Sequence, residues 1–121
     1  MYQVLTPSPL HSLKAYLHMM DGLGFGFHAK SGIVTAMDLK MKFGGPVIVN
    51  VGITKDMGEG LLRSGAADLV AYGRLYIGNP DLVERFKNNW PLNPDPGYPA
   101  WYDAKMGATG YTDQKSYTPE E

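Results

Sequence analysis

The sequence predicts an α/β protein whose strands run parallel, and three observations lead to this fold class. Short apolar runs of strand length occur three times, and each precedes a loop and then a stretch with helical spacing of apolar residues. The middle run, at residues 46–51, is rich in β-branched residues and almost continuously apolar, as in a strand buried on both faces. Strands and helices that alternate in this way indicate βα units on a single parallel sheet.

The first predicted unit contains a strand at residues 15–20 and a helix at residues 34–43. Between them, Gly22, Gly24 and Gly26 alternate with apolar residues. This run suggests a dinucleotide-binding turn, but the third glycine of the G-x-G-x-x-G pattern is missing. We therefore interpret the run as a loop.

The second predicted unit combines the strand at residues 46–51 with a helix that begins after Thr54 as its N-cap and extends to about Ser64. Gly65 follows this helix at the position where a left-handed residue is common. Two glycines, at positions 58 and 60, interrupt the helix, and each is expected to cost about 0.5–1 kcal/mol of helix stability.

The third predicted unit has a strand at residues 68–72 and a helix with Asn79 as its N-cap. From Trp90 onward, prolines are frequent and no clear period is present. We therefore divide the chain into βα units at residues 1–93 and an irregular C-terminal extension at residues 94–121.

Three βα units are too few to form a closed barrel. A complete (β/α)8 barrel typically needs about 250 residues, and this chain has 121. A parallel sheet of three strands on its own would leave both outer edges unpaired. The pattern therefore predicts a portion of a (β/α)8 barrel that self-associates or pairs with a complementing barrel segment.

The composition excludes several classes of function. The chain has 11 Lys and Arg against 12 Asp and Glu, a net charge of −1, which argues against a nucleic-acid partner. It has no cysteine, which excludes disulfide scaffolds, zinc–thiolate sites and cysteine nucleophiles. No apolar run reaches the roughly 18 residues of a spanning helix, and the first residues lack the features of a signal peptide. We therefore expect a cytoplasmic protein without a membrane partner.

The residues that follow the second and third predicted strands are the strongest candidates for a binding site. Gly52 follows the second strand, and Gly73 and Arg74 follow the third. In (β/α)8 barrels a phosphate commonly binds at the loops after the last two strands. Glycine allows the backbone to approach a phosphate closely, and arginine supplies a permanent charge. Spacing alone leaves a second interpretation open, in which these glycines form ordinary turns and the arginine is a surface residue.

The histidines and the aromatic pair Trp101 and Tyr102 do not by themselves indicate a catalytic or metal site. The three histidines, His11, His18 and His28, lack the spacing of a metal pair, and we interpret His18 as a packed strand residue. Trp101 and Tyr102 either line an apolar pocket or anchor the tail by burying their rings, and the pattern alone favours the anchor. No metal site and no catalytic residue is predicted.

A family resemblance is visible at residues 73–85, which read GRLYIGNPDLVER. This segment resembles the stretch GR-x-[FY]-I-x-NPDL-V-x-R of the old yellow enzyme family of FMN-dependent ene-reductases. That family includes N-ethylmaleimide reductase and the 12-oxophytodienoate reductases. The similarity continues through Trp101 and Tyr102 and covers roughly residues 8 to 118.

The resemblance implies the C-terminal portion of a (β/α)8 barrel, about strands six to eight, with FMN at the barrel mouth. It implies that the FMN phosphate is held by four residues: Val51, Gly52, Gly73 and Arg74. It places Trp101 near the flavin ring and Tyr102 in the substrate pocket.

The activity that the resemblance implies is the reduction of activated alkenes, namely α,β-unsaturated carbonyls, with FMN as cofactor and NAD(P)H as reductant. The family's substrate-holding His/His or His/Asn pair and its tyrosine proton donor belong to strands one to five, and they have no counterpart in this sequence. An alternative therefore stays open, in which the chain is a non-catalytic half-barrel that binds a phosphate ligand or a partner.

Overall fold

The structure is a computed structural model that describes residues 15–20 and 34–119 of the chain. The elements, in chain order, are β1 (Leu17–Met20), α1 (Ala36–Phe43), β2 (Val47–Asn50), α2 (Lys55–Arg63), β3 (Leu69–Val70), α3 (Arg74–Gly78), α4 (Leu82–Asn88), α5 (Gly97–Tyr102) and a 3₁₀ turn (Ala104–Met106). The predicted glycine-rich loop, His11 and His28 lie outside the described residues. The chain forms two compact units that divide after Ala71.

The first unit contains a three-stranded parallel sheet in the order β1-β2-β3. Leu17 is paired with Val47, and Val49 with Val70. Val47 and Val49 are fully buried because β2 is the central strand. The predicted parallel βα organisation is therefore confirmed for the described residues.

The third strand is shorter than predicted, since β3 comprises only two residues rather than residues 68–72. Its backbone pairing nevertheless extends one residue in each direction, because the N–H groups of Asp68 and Ala71 donate to the carbonyls of Val47 and Val49. The side chain of Leu69 remains 57% exposed. β3 is thus a short strand, and the side chain of Leu69 has little cover from the described residues.

Local capping defines the helices of the first unit. The Thr35 hydroxyl accepts a hydrogen bond from the Asp38 N–H while the Asp38 carboxylate accepts one from the Thr35 N–H, so α1 begins at Ala36 rather than at residue 34. Thr54 caps α2 as predicted. Gly65 follows α2 with φ of +73°, which confirms the predicted left-handed position.

The second unit corrects three predictions. A five-residue helix, α3, occupies part of the predicted loop between strand and helix. Asn79 does not cap α4, because its side chain donates to the Leu75 carbonyl and accepts from the Asn93 N–H; the N-cap residue is Asp81. The predicted irregular extension contains a helix, α5.

The division between barrel units and extension at residue 93 stays a prediction, since the separation into compact units concerns a different boundary. Within residues 15–20 and 34–119, no helix is both long enough and apolar enough to cross a bilayer.

Candidate functional site

The backbone at the end of β2 adopts an unusual conformation. Val51 has φ of +78° and Gly52 has φ of +69°. A left-handed conformation is costly for a β-branched residue, on the order of 1–3 kcal/mol, and such strain is concentrated at functional sites. The Asn50 side chain stabilises this turn, because its Oδ1 accepts a hydrogen bond from the Val51 N–H at 2.6 Å.

Gly52 combines a left-handed backbone, which glycine adopts readily, with open space. A side chain added at Gly52 would meet no described atom within 4 Å. Val51, by contrast, is buried, with 8% of its surface exposed. The turn therefore anchors itself through Val51 and presents Gly52 outward, as expected of a backbone that a ligand approaches closely.

Gly73 and Arg74 lie where the second unit begins. Gly73 has a negative φ of −96°, so its backbone conformation does not require glycine. A Cβ at Gly73 would also meet nothing within 4 Å among the described residues. Neither backbone strain nor packing within this part of the chain accounts for glycine here, which leaves room for a ligand.

Arg74 lies against an aromatic side chain of α5. Its guanidinium carbon is 5.2 Å from the centre of the Trp101 ring, a distance at which a cation and a π face attract each other. The stacking holds the positive charge beside the half-buried indole.

Trp101 also carries a buried donor without an acceptor. Its Nε1–H is buried and has no hydrogen-bond partner among the described residues. Leaving such a group unsatisfied costs about 1–3 kcal/mol. An acceptor supplied by a ligand would remove this cost, so Trp101 is a candidate binding residue as well as a packing residue.

Tyr102 lies on the exposed side of the same helix. Its ring packs edge-on against the ring of Trp101, with the two centroids 6.2 Å apart. The ring of Tyr98 is also close, with its centroid 5.0 Å from that of Tyr102. Tyr102 is nevertheless 56% exposed. The preference for a buried anchor, drawn from the sequence pattern, is therefore wrong for Tyr102.

His18 also differs from the prediction. The interpretation of His18 as a packed strand residue is wrong, because His18 lies on the exposed side of β1, an outer strand of the described sheet. Within the described ranges, no three histidine or acidic side chains converge as metal ligands.

A buried ion pair between Asp81, the N-cap of α4, and Arg85 was not predicted. Arg85 is 2% exposed and donates from Nε to the Asp81 carboxylate at 2.7 Å. Burial raises the pKa of Asp81, but the hydrogen bonds from Arg85 and from the Tyr117 N–H outweigh it and lower that pKa overall. The four-residue spacing of an acid and an arginine on one helix was the available signal.

The chain is similar to a group of curated reductases. It is 49% identical over 55 residues to 12-oxophytodienoate reductase 7 of Oryza sativa subsp. japonica. This alignment covers 46% of this chain and 14% of that protein. It is 40% identical over 76 residues to putative 12-oxophytodienoate reductase 3 of the same organism, covering 62% of this chain and 20% of that protein. The matched part of the chain thus spans between about a seventh and a fifth of the length of these relatives. No family model matches it.

Solved structures give a consistent result over most of the chain. The old yellow enzyme from Trypanosoma cruzi aligns with a TM-score of 0.74 and 31% identity, covering 90% of this chain and 28% of that one. The old yellow enzyme homologue from Zymomonas mobilis aligns with a TM-score of 0.74 and 31% identity, covering 89% of this chain and 30% of that one. Morphinone reductase in complex with tetrahydroNAD aligns with a TM-score of 0.67 and 29% identity, covering 85% of this chain and 26% of that one. The predicted fold class, part of a (β/α)8 barrel, is confirmed.

Proposed function

We propose a flavin-binding function, on the premise that this chain is part of an old yellow enzyme family member, as both its sequence and its fold indicate. The proposed ligand is FMN, and the proposed activity of the whole protein is NAD(P)H-dependent reduction of activated alkenes. The relatives support the activity, since they are named 12-oxophytodienoate reductases. A structural neighbour, morphinone reductase in complex with tetrahydroNAD, supports a nicotinamide reductant.

The observation that carries the proposal is the placement of Arg74. It follows directly on Gly73, which has open space around it, and its guanidinium is held beside Trp101. A permanent cation next to an accessible backbone suits a phosphate, because charge-assisted hydrogen bonds to arginine are strong and frequently bidentate.

The residues fit FMN in each unit taken separately. In the first unit, we assign Val51 and Gly52 to the phosphate, because the left-handed turn presents the backbone of Gly52 outward. In the second unit, we assign Gly73 and Arg74 to the phosphate. We assign Trp101 to the flavin ring, because a buried indole N–H without an acceptor matches a ring system rich in carbonyl and nitrogen acceptors.

Tyr102 is proposed to line the pocket for the alkene substrate. Its exposed ring and phenol can contact a small molecule without rearrangement of α5. Bound FMN would supply the hydride transfer between NAD(P)H and the alkene. The residues assigned here would bind and orient the cofactor, and no proton-transfer role is assigned to this chain.

The test compares two flavins that differ in the phosphate. The chain, alone or with a complementing barrel segment, is titrated with FMN and with riboflavin, and binding is followed by flavin fluorescence. We expect Arg74→Met to weaken FMN binding by about tenfold or more, and to weaken riboflavin binding far less.

Arg63→Met is the matched control, since Arg63 is an exposed arginine whose partner is Glu59 on the same helix. Equal losses for both flavins, or FMN affinity unchanged in Arg74→Met, would overturn the phosphate assignment. Binding of inorganic phosphate without any flavin binding would instead favour the alternative of a non-catalytic phosphate-binding module.

A further inference from the structure

We infer that Arg85, which touches neither proposed ligand site, positions Trp101 and Tyr102 through residues 110–117, here called the strap. The roles of Trp101 and Tyr102 rest on the proposed function, whereas the mechanical connection does not. All the contacts involved lie within the second unit.

Arg85 binds the far end of the strap. Besides its bond to Asp81, its Nη1 donates to the Pro91 carbonyl at 2.6 Å and its Nη2 to the Lys115 carbonyl at 3.0 Å. Its guanidinium carbon lies 5.7 Å from the centre of the Tyr117 ring. One buried cation therefore fixes Pro91 and the strap at the same time.

Asp81 and Asn93 hold the same end of the strap from two further directions. The Asp81 Oδ2 accepts a hydrogen bond from the Tyr117 N–H at 2.7 Å. The Asn93 side chain donates to the Lys115 carbonyl at 2.8 Å and to the Gly78 carbonyl at 2.8 Å. The strap is thus attached to Arg85, Asp81 and Asn93, and the bonds to Arg85 and Asp81 are partly buried.

The near end of the strap presses on α5. A Cβ at Gly110 would lie 2.8 Å from the Cβ of Ala100, so the strap backbone already packs tightly against that helix. Ala100 is buried and directly precedes Trp101.

The turn between the two ends is internally braced. Gly110 donates its N–H to Asp113 at 2.8 Å, and the Gln114 side chain donates to the Gly110 carbonyl at 3.2 Å. Because of these bonds, a displacement of Lys115 or Tyr117 is expected to displace Gly110 as well. Displacement of the attached end is therefore expected to release α5 and, with it, the two aromatic side chains.

The experiment measures α5 directly in the ligand-free chain. Backbone hydrogen exchange is followed by mass spectrometry in Arg85→Met, and in Lys87→Met as the control on the same helix, where the lysine side chain is 71% exposed. We expect the amides of Trp101, Tyr102 and Asp103, at the end of α5, to exchange about tenfold faster or more in Arg85→Met, and at the parent rate in Lys87→Met. Amides of α3 should change far less.

Tyr117→Ala provides a second variant should Arg85→Met fail to fold. It loosens the strap without leaving a buried charge unpaired, so a smaller acceleration confined to α5 is expected. Arg85→Lys should recover part of the protection, since a lysine keeps the charge but reaches fewer of the partners. Unchanged exchange at α5 in Tyr117→Ala, or equal acceleration in α3 and α5, would overturn the inference.

A second readout separates this inference from the flavin proposal. The two tryptophans are labelled as 5-fluorotryptophan, and the fluorine resonance of Trp101 is assigned with Trp90→Phe. We expect that resonance to broaden or shift in Arg85→Met before any ligand is added. If the parent chain fails to bind FMN, the proposed function fails while this result still decides the positioning role.

Discussion

The carboxylate of Asp68 accepts a hydrogen bond from the backbone N–H of Val47, with 2.7 Å between the two heavy atoms. The same carboxylate forms an ion pair with Lys40 near the end of α1. One acidic side chain thus connects the start of β3, the start of β2 and a helix. The hydrogen bond from Lys40, followed by that from Val47, lowers the pKa of Asp68.

The pH dependence of stability follows from this arrangement. The pKa values of Asp38, Asp68 and Asp81 all lie below their ordinary value of 3.8 in the folded chain. A depressed folded pKa stabilises the protein above the unfolded pKa, and this stabilisation is lost as pH falls through the folded value. We expect the free energy of unfolding to decrease as the pH is lowered below about 4. Urea titrations between neutral and acidic pH measure it.

Asp68→Asn isolates one of these carboxylates. It should lower stability at neutral pH and make the acid-dependent loss shallower, because the charged partner of Lys40 is removed. Asp56→Asn provides a comparison from α2. A pH profile in Asp68→Asn that retains the full steepness of the parent would contradict the assignment.

Two glycines at α2 should respond in opposite directions to the same substitution. Gly60 lies inside the helix with open space around it, so Gly60→Ala should stabilise the chain by about 0.5–1 kcal/mol. Gly65 has a positive φ, so Gly65→Ala should destabilise it by about 1–2 kcal/mol. Chemical denaturation of both variants measures the difference, and changes of the same sign would show that the helix end is placed wrongly.

The central strand should dominate the stability of the first unit. Val49 is fully buried, so Val49→Ala should lower the free energy of unfolding by about 2 kcal/mol. Val83→Ala serves as the exposed control, since Val83 is 60% exposed and should change stability little. Equal effects of the two substitutions in denaturant melts would contradict the central position of β2.

We also expect the isolated chain to self-associate or to fold poorly. β1 and β3 are the outer strands of the described sheet, and they carry the exposed apolar side chains of Met20 and Leu69. Leu69→Lys should reduce association, because a charge on an outer strand opposes edge-to-edge pairing. Light scattering combined with thermal melting checks this. A monodisperse parent chain with a cooperative melt would contradict the expectation.

Local sequence information was sufficient to predict the order and type of the elements of the first unit, but not all of their bounds. The β-branched run of β2 and the Thr54 cap depend on residues a few positions apart, and both were predicted. The second unit was harder because its partners are distant in sequence. Asn79 bonds to Asn93, 14 residues away, rather than capping α4. No local pattern distinguishes these two uses of an asparagine side chain.

Only part of the candidate site could be predicted from the sequence. Strand-end glycines and Arg74 were identified by position and by family resemblance. The left-handed backbone of Val51, the contact of Arg74 with Trp101 and the orphaned indole N–H depend on three-dimensional packing. Valine has a low preference for positive φ, so residue type alone would have predicted the opposite conformation.

The contacts of Arg85 also affect when the second unit can form during synthesis. Its partner Lys115 lies 30 residues further along the chain, and the Asp81 partner Tyr117 lies 36 residues beyond Asp81. A ribosome adding about 5–20 residues per second takes about 2–6 s to cover 30 residues. During that interval the nascent α4 carries a charge that cannot yet be buried with all its partners. The second unit is therefore expected to reach its complete set of polar contacts only after residue 117 has been added.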